Sequence, residues 1–324
     1  MTGLKQTRRA LFAAIALAIC GMLTAIPDAS AQQKIRFAYL KSTTLIPFFF
    51  AQEKGYFKAE GLDVELVAVP GGPAVVAAIA GGSADIGYAA PTPVAIARQG
   101  GQPYRFFIGM ERDEFKTGQL WGTILASEKS GIKTLADLAG KKIILGPPGG
   151  LCELAVREWI TKAGLKWEQI TPLFNPFPQM QAALDVGNAD AACIIEPFTT
   201  AVQASAVKPV TLARGYLAEH PDRYTVDGIF ATEAWLAANG PAVAGIKRAM
   251  LKAWQELSKD RPTVETILDK EFRFPKALVD RIKIDFVAQI SLVPADFEPI
   301  IARMKQHGML KADFKAADLI LADK

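Results

Sequence analysis

Glu196 holds the position in this sequence that most plainly suggests chemistry. It follows an apolar run, Ala191–Ile195, and precedes Pro197. In open α/β sheets ligands bind outside the carboxyl ends of strands, and a carboxylate there can accept hydrogen bonds from an ammonium or amino group. A framework role, capping a nearby helix or pairing with a surface lysine, is the competing reading. Ser42, Thr43 and Thr44 follow another strand-like run, Thr92 follows Pro91, and Gly149-Gly150 can bring bare backbone close to a bound molecule. Several of these loops feed expected helix starts, whose free N–H groups and dipole suit an anion. The expected site is therefore two-signed, with anionic oxygens near Thr43, Thr44, Gly149 and Gly150 and an N–H-bearing group at Glu196. Phe48, Phe49, Phe50, Tyr88, Trp121 and Phe177 are candidate aromatic walls, although most of such a set is usually core and only two or three are expected at the ligand. Gln179 and Asp227 complete the candidate ligand-binding set.

Other chemistries lack their residues. The two histidines, His220 and His307, have no Cys or His at metal-ligand spacing, so neither a zinc site nor a histidine triad is expected. No Gly-Lys-Ser/Thr follows Gly149-Gly150, and no Gly-x-Gly-x-x-Gly occurs, so no nucleotide cofactor is read. Catalytic residues, metals and cofactors are all expected to be absent. Basic and acidic residues are interspersed around a net charge of +4, which gives no footprint for nucleic acid.

The elements that must position the candidates follow a parallel α/β grammar: a strand at Lys34–Tyr39, an apolar helix opened by Pro47, then strands at Val64–Val69 and Asp85–Ala89. The pattern then repeats. The same spacing of 105 residues separates Pro73 from Pro178, Ala77 from Ala182, Gly82 from Gly187 and Asp85 from Asp190. Ordered self-similarity in matching contexts predicts two α/β lobes built on one plan. Strands are expected at Lys142–Leu145, Ile170–Phe174, Ala191–Ile195, Val210–Ala213 and Thr225–Thr232, followed by helices almost to the end. Lobe I is expected at 34–122 plus 232–324, with the helical C-terminal part packed on it, and lobe II at 123–231. Two crossings, near Trp121 and near Asp227–Ala231, would form a hinge beside a ligand cleft.

The N-terminus carries Lys5, Arg8 and Arg9, an apolar run from Ala10 to Ile26, and Pro27-Asp28-Ala29-Ser30-Ala31. This is the pattern of a secretory signal peptide, 1–31, cleaved after Ala31. Thr7–Phe12 resembles a twin-arginine motif, while Ile19 makes Cys20 a poor lipid anchor. An oxidising compartment would permit Cys152 and Cys193 to pair, but two buried small apolar residues is the expectation.

Four stretches together resemble the sulfonate, nitrate and taurine solute-binding proteins of ABC importers. They are Ala51-Gln52-Glu53-Lys54-Gly55-Tyr56-Phe57-Lys58-Ala59-Glu60-Gly61-Leu62, Gly82-Ser83-Ala84-Asp85-Ile86-Gly87, Thr134–Lys142, and Ala183-Leu184 through Glu196-Pro197. The resemblance implies a type II periplasmic-binding-protein fold, a monomer that closes on a small-molecule ligand in the periplasm and docks on a permease served by an ATPase. It does not fix the ligand, since such proteins take sulfonates, taurine, nitrate, bicarbonate or a thiamine pyrimidine precursor. A small organic anion or zwitterion is the expectation. An enzyme of the same fold and a receptor feeding a sensor kinase are the alternatives.

Overall fold

A computed structural model describes residues 32–114, 116, 120–218, 223–282, 292–310, 313 and 315–321. The signal segment, its cleavage point, Cys20 and His220 lie outside the described residues. The chain divides into Met1–Gln32 and Gln33–Lys324, and the second unit holds both sheets.

Among the described residues, ten strands form two five-stranded sheets: β1 (Gln33–Tyr39), β2 (Leu62–Ala68), β3 (Ile86–Ala89), β4 (Tyr104–Glu114), β5 (Thr123–Ala126), β6 (Lys142–Leu145), β7 (Thr171–Phe174), β8 (Ala191–Ile194), β9 (Val210–Arg214) and β10 (Arg223–Thr232). The orders are β2-β1-β3-β10-β4 and β7-β6-β8-β5-β9. In each sheet the fourth strand runs antiparallel to its neighbours, while the first three are parallel. The two lobes therefore share one topology.

The repeated sequence has a local cause. Gly82 and Gly187 each end a helix turn in the left-handed region, at φ +71° and +77°, where a side chain is strained. Three residues on, Asp85 accepts a hydrogen bond from Arg36 N at 2.7 Å, and Asp190 accepts one from Lys142 N at 2.8 Å. The backbone N–H of each aspartate returns a bond to the same residue's carbonyl, both at 2.9 Å. Each pair ties the entry to one strand, β3 or β8, to its parallel neighbour, β1 or β6, so the signature is framework.

The sheet pairings move two boundaries. The second crossing lies between Arg214 and Arg223, ahead of Asp227–Ala231, because β10 pairs with β3 and β4 and so belongs to lobe I. Strand β4 has no counterpart among the expected strands, because its charged end, Glu111-Arg112-Asp113-Glu114, masks the strand pattern. In the C-terminal part, helices Gly240–Glu256 and Arg261–Phe272 pack on helix Ile46–Glu53, and helix Glu298–Gln306 packs on helix Pro91–Gln99. The apolar core includes Phe37, Phe48, Phe57, Phe106 and Phe230, all essentially inaccessible. Among the described residues no helix is long and apolar enough to cross a membrane.

Candidate functional site

A cavity of about 670 Å³, open at its mouth, lies where the carboxyl ends of both sheets face each other. Lobe I contributes Ser42, Thr43 and Thr44 after β1, Tyr88 on β3, Glu111 on β4 and Asp227 on β10. Lobe II contributes Gly150 and Cys152 after β6, Phe177 after β7 and Glu196 after β8. Trp121 and Tyr216, from the two crossings, close the wall. Of the twelve sequence candidates, Thr92, Gly149 and Gln179 fall outside this lining. Thr92 is buried in the first turn of helix Pro91–Gln99, and Gln179 is exposed and bonded to Asn175 at 3.1 Å.

The backbone donors expected to face an anion already have partners. Thr43 N donates to Glu196 O at 3.4 Å, and Thr44 N donates to Ser42 Oγ at 3.2 Å. Gly149 N donates to Glu153 Oε2 at 2.9 Å, and Gly150 N donates to Pro147 O at 3.1 Å. On that side the cavity meets the start of helix Leu151–Lys162, where Leu151 and Cys152 line it. Glu196 is likewise engaged. Its two oxygens accept from Thr200 N at 3.1 Å and Thr200 Oγ1 at 3.0 Å, which caps helix Phe198–Gln203. The framework role thus exists in the fold, and burial pushes this carboxyl above its usual range.

Among the described residues, the unsatisfied carboxylate oxygens of the cavity lie on β4 and β10. Glu111 and Asp227 stand directly opposite each other across these strands, between register shifts on either side of Asp227. Each is about 6% exposed. Asp227 Oδ2 accepts from Tyr88 OH at 2.5 Å, while Asp227 Oδ1 and Glu111 Oε1 are buried without a hydrogen-bond partner. Two like charges set opposite each other in a sheet destabilise it, and burial adds to that cost. Burial raises the pKa of both groups, helped by the charge of Asp227 at Glu111 and by that of Asp113 at Asp227. Glu111 is absent from the sequence candidates because a spatial pair of this kind has no sequence signature. The single hint is a charged run ending an apolar stretch.

Beside them, Asp113 ties the crossings together. Its Oδ1 accepts from Trp121 N at 2.9 Å, and its Oδ2 accepts from Tyr216 N at 3.4 Å and from Tyr224 OH. Trp121 precedes β5 and Tyr216 follows β9, so one buried carboxylate holds both crossing segments.

The lobes touch across the cleft in several places. A Cβ on Gly71 would sit 2.5 Å from Pro147 Cγ of lobe II, and Phe198 of lobe II packs edge-on against Phe272 and Phe274. His307 Nε2 meets Glu158 Oε1 at 2.6 Å between the C-terminal helix and helix Leu151–Lys162. These contacts join the two lobes on either side of the cavity. At the cavity floor Cys152 and Cys193 form a disulfide with a Cα–Cα distance of 5.6 Å. This corrects the expectation of two unpaired apolar residues: β8 runs beside the helix that carries Cys152, which brings both Cα atoms within bonding range. Among the described residues no group of three or more His, Cys, Asp or Glu is placed to hold a metal ion.

Two matched α/β lobes, two crossings and a cavity between them define a periplasmic-binding-protein fold. The chain belongs to the NMT1/THI5-like family, whose pattern matches residues 42–262. A protein of Escherichia coli (strain K12) named for binding aliphatic sulfonates is 30% identical over 194 residues, 58% of each chain. The nitrate import ATP-binding protein NrtC of Synechococcus elongatus is 29% identical over 239 residues, 69% of this chain and 35% of that one. The chain thus spans less than two thirds of the length of these curated relatives. The alkanesulfonate-binding protein SsuA of Xanthomonas axonopodis pv. citri, solved with MOPS, superposes with a TM-score of 0.74 at 22% identity. That match covers 90% of this chain and 98% of SsuA.

Proposed function

We propose that this chain is the exported solute receptor of an ABC importer, capturing a small organic solute between its lobes and presenting the closed form to a membrane permease. The observation that carries this reading is the interlobe cavity, lined from both sheets and bordered by both crossings. The Cys152–Cys193 disulfide supports export, since such bonds persist in oxidising compartments such as the periplasm. The site residues are Ser42, Thr44, Tyr88, Trp121, Phe177, Glu196 and Asp227 from the sequence, joined by Glu111 and Tyr216. A zwitterion of the amino-sulfonate kind fits this cavity better than a bare oxyanion. Its anionic end can meet the start of helix Leu151–Lys162, and its amino end the carboxylates of lobe I.

A thermal-shift screen of the chain across sulfonates, amino-sulfonates, nitrate, carboxylates and amines tests the reading. A true ligand at 100 times its dissociation constant adds about 2.7 kcal/mol. The same ligand should lower the radius of gyration in small-angle scattering. The companion variant is Gly71→Val. Gly71 is extended, so the new side chain strains no backbone there, but it occupies the space that Pro147 fills on closure. The variant is expected to stay folded, keep its radius when ligand is added, and bind about tenfold or more weakly, because only the closed form holds the ligand tightly. Unchanged affinity and normal compaction in Gly71→Val would remove closure from the mechanism.

A further inference from the structure

The described residues that line the cavity include Glu111, Asp227 and Glu196 and no lysine, arginine or histidine. Two carboxylate oxygens, Glu111 Oε1 and Asp227 Oδ1, are buried there without partners on residues more than nine-tenths covered. Tyr88, Trp121, Tyr216 and Phe177 surround them with aromatic rings. Desolvated acceptors among aromatic faces recognise a flat cation with several N–H groups: the oxygens take its hydrogen bonds and the rings attract its charge. Trp121 Nε1, a buried donor also lacking a partner, leaves room for an acceptor elsewhere on the same molecule. Resting on the solute-receptor reading, we propose that the solute is anchored by a cationic N–H group, of amidinium, guanidinium or ammonium type, held between Glu111 and Asp227.

The facing groups set the pH dependence. Asp113 on β4, Tyr88 on β3, Thr44 after β1, and Glu196 and Tyr216 from the opposite side surround the pair, and the basic residue acting on this set is Arg214, through Glu196. With burial raising both carboxyls, the ligand-free site holds protons that a cation must displace. Cation binding should therefore strengthen as pH rises and release protons. An anion would require the carboxyls to be protonated, so its binding would strengthen as pH falls and take protons up.

Calorimetric titration of the chain with pairs of like shape and opposite charge decides the matter: guanidinium against nitrate, and benzamidinium against benzoate. The cation of at least one pair is expected to bind tenfold or more tightly than its anion, and more tightly at pH 8 than at pH 5. Glu111→Gln and Asp227→Asn should each weaken that cation by roughly tenfold to a hundredfold. The ligand-free Tm of each variant at pH 8 should hold or rise, since a buried carboxyl that must keep a proton against the solvent pH is removed. A carboxylate that only supports the fold would lower the Tm instead. Tighter binding of the anions, or proton uptake on binding, overturns the cationic anchor and leaves the solute-receptor reading standing. Failure of both charge classes to bind, together with no hit or compaction in the wider screen, sinks both.

Discussion

Reduction of the Cys152–Cys193 disulfide is expected to cost about 4 kcal/mol of stability. The bond closes a loop with a sequence separation of 41, and constraint of the unfolded chain by a loop of that size lies between the values for short and long loops. In a chain of this length such a loss lowers Tm by on the order of 10 °C. The check is a melting curve with and without reductant, beside a Cys152→Ser/Cys193→Ser double variant that should melt near the reduced protein. Because Cys152 opens the helix bordering the cavity, the reduced protein should also bind its ligand more weakly. Identical oxidised and reduced melting curves would mean that the two sulfurs are simply buried neighbours.

Asp113→Ala should produce a loss of similar size, about 3–5 kcal/mol. The carboxylate is fully buried, and its removal strips acceptors from Trp121 N and Tyr224 OH, while Tyr216 N keeps its bond to Tyr224 OH at 3.0 Å. Each buried donor left unsatisfied costs about 1–3 kcal/mol, and the void adds to that. Asp113→Asn separates shape from charge. Burial pushes this carboxyl up to about 6, against the pull of its three donors. A folded-state pKa above the unfolded value means a contribution present below the ordinary aspartate range and lost as pH rises through about 6. The asparagine variant should therefore gain on the native protein between pH 4 and pH 7, by on the order of 3 kcal/mol. Denaturant titrations of both proteins at the two pH values measure it. A gap that does not change with pH would show that Asp113 ionises as freely in the fold as in the unfolded chain.

The two-lobe plan could be read from residues because its signals are local. Glycines that end helix turns at Gly82 and Gly187 act within a few residues, as does the strand-helix alternation around them. Asp85 and Asp190 recur because each ties neighbouring strands of its own lobe. The candidate loops were found for the same reason: a loop at the carboxyl end of a strand is recognisable wherever the strand is. Glu196 was visible at such an end, but its bonds to Thr200 depend on how the following turn folds back.

The opposed carboxylates were beyond reach of local pattern. Glu111 and Asp227 become neighbours only through the register of β4 against β10, two strands far apart in sequence. That register also moved β10 from lobe II to lobe I and shifted the second crossing ahead of it. The union of Cys152 with Cys193, and the approach of Gly71 to Pro147, likewise depend on how separate segments meet. Periodicity and turn chemistry thus specified the elements and their order in each lobe. The charge of the cavity, the bond at its floor and the contacts that close it arose from strand register and lobe docking, which are set by packing between residues that no short stretch of sequence contains.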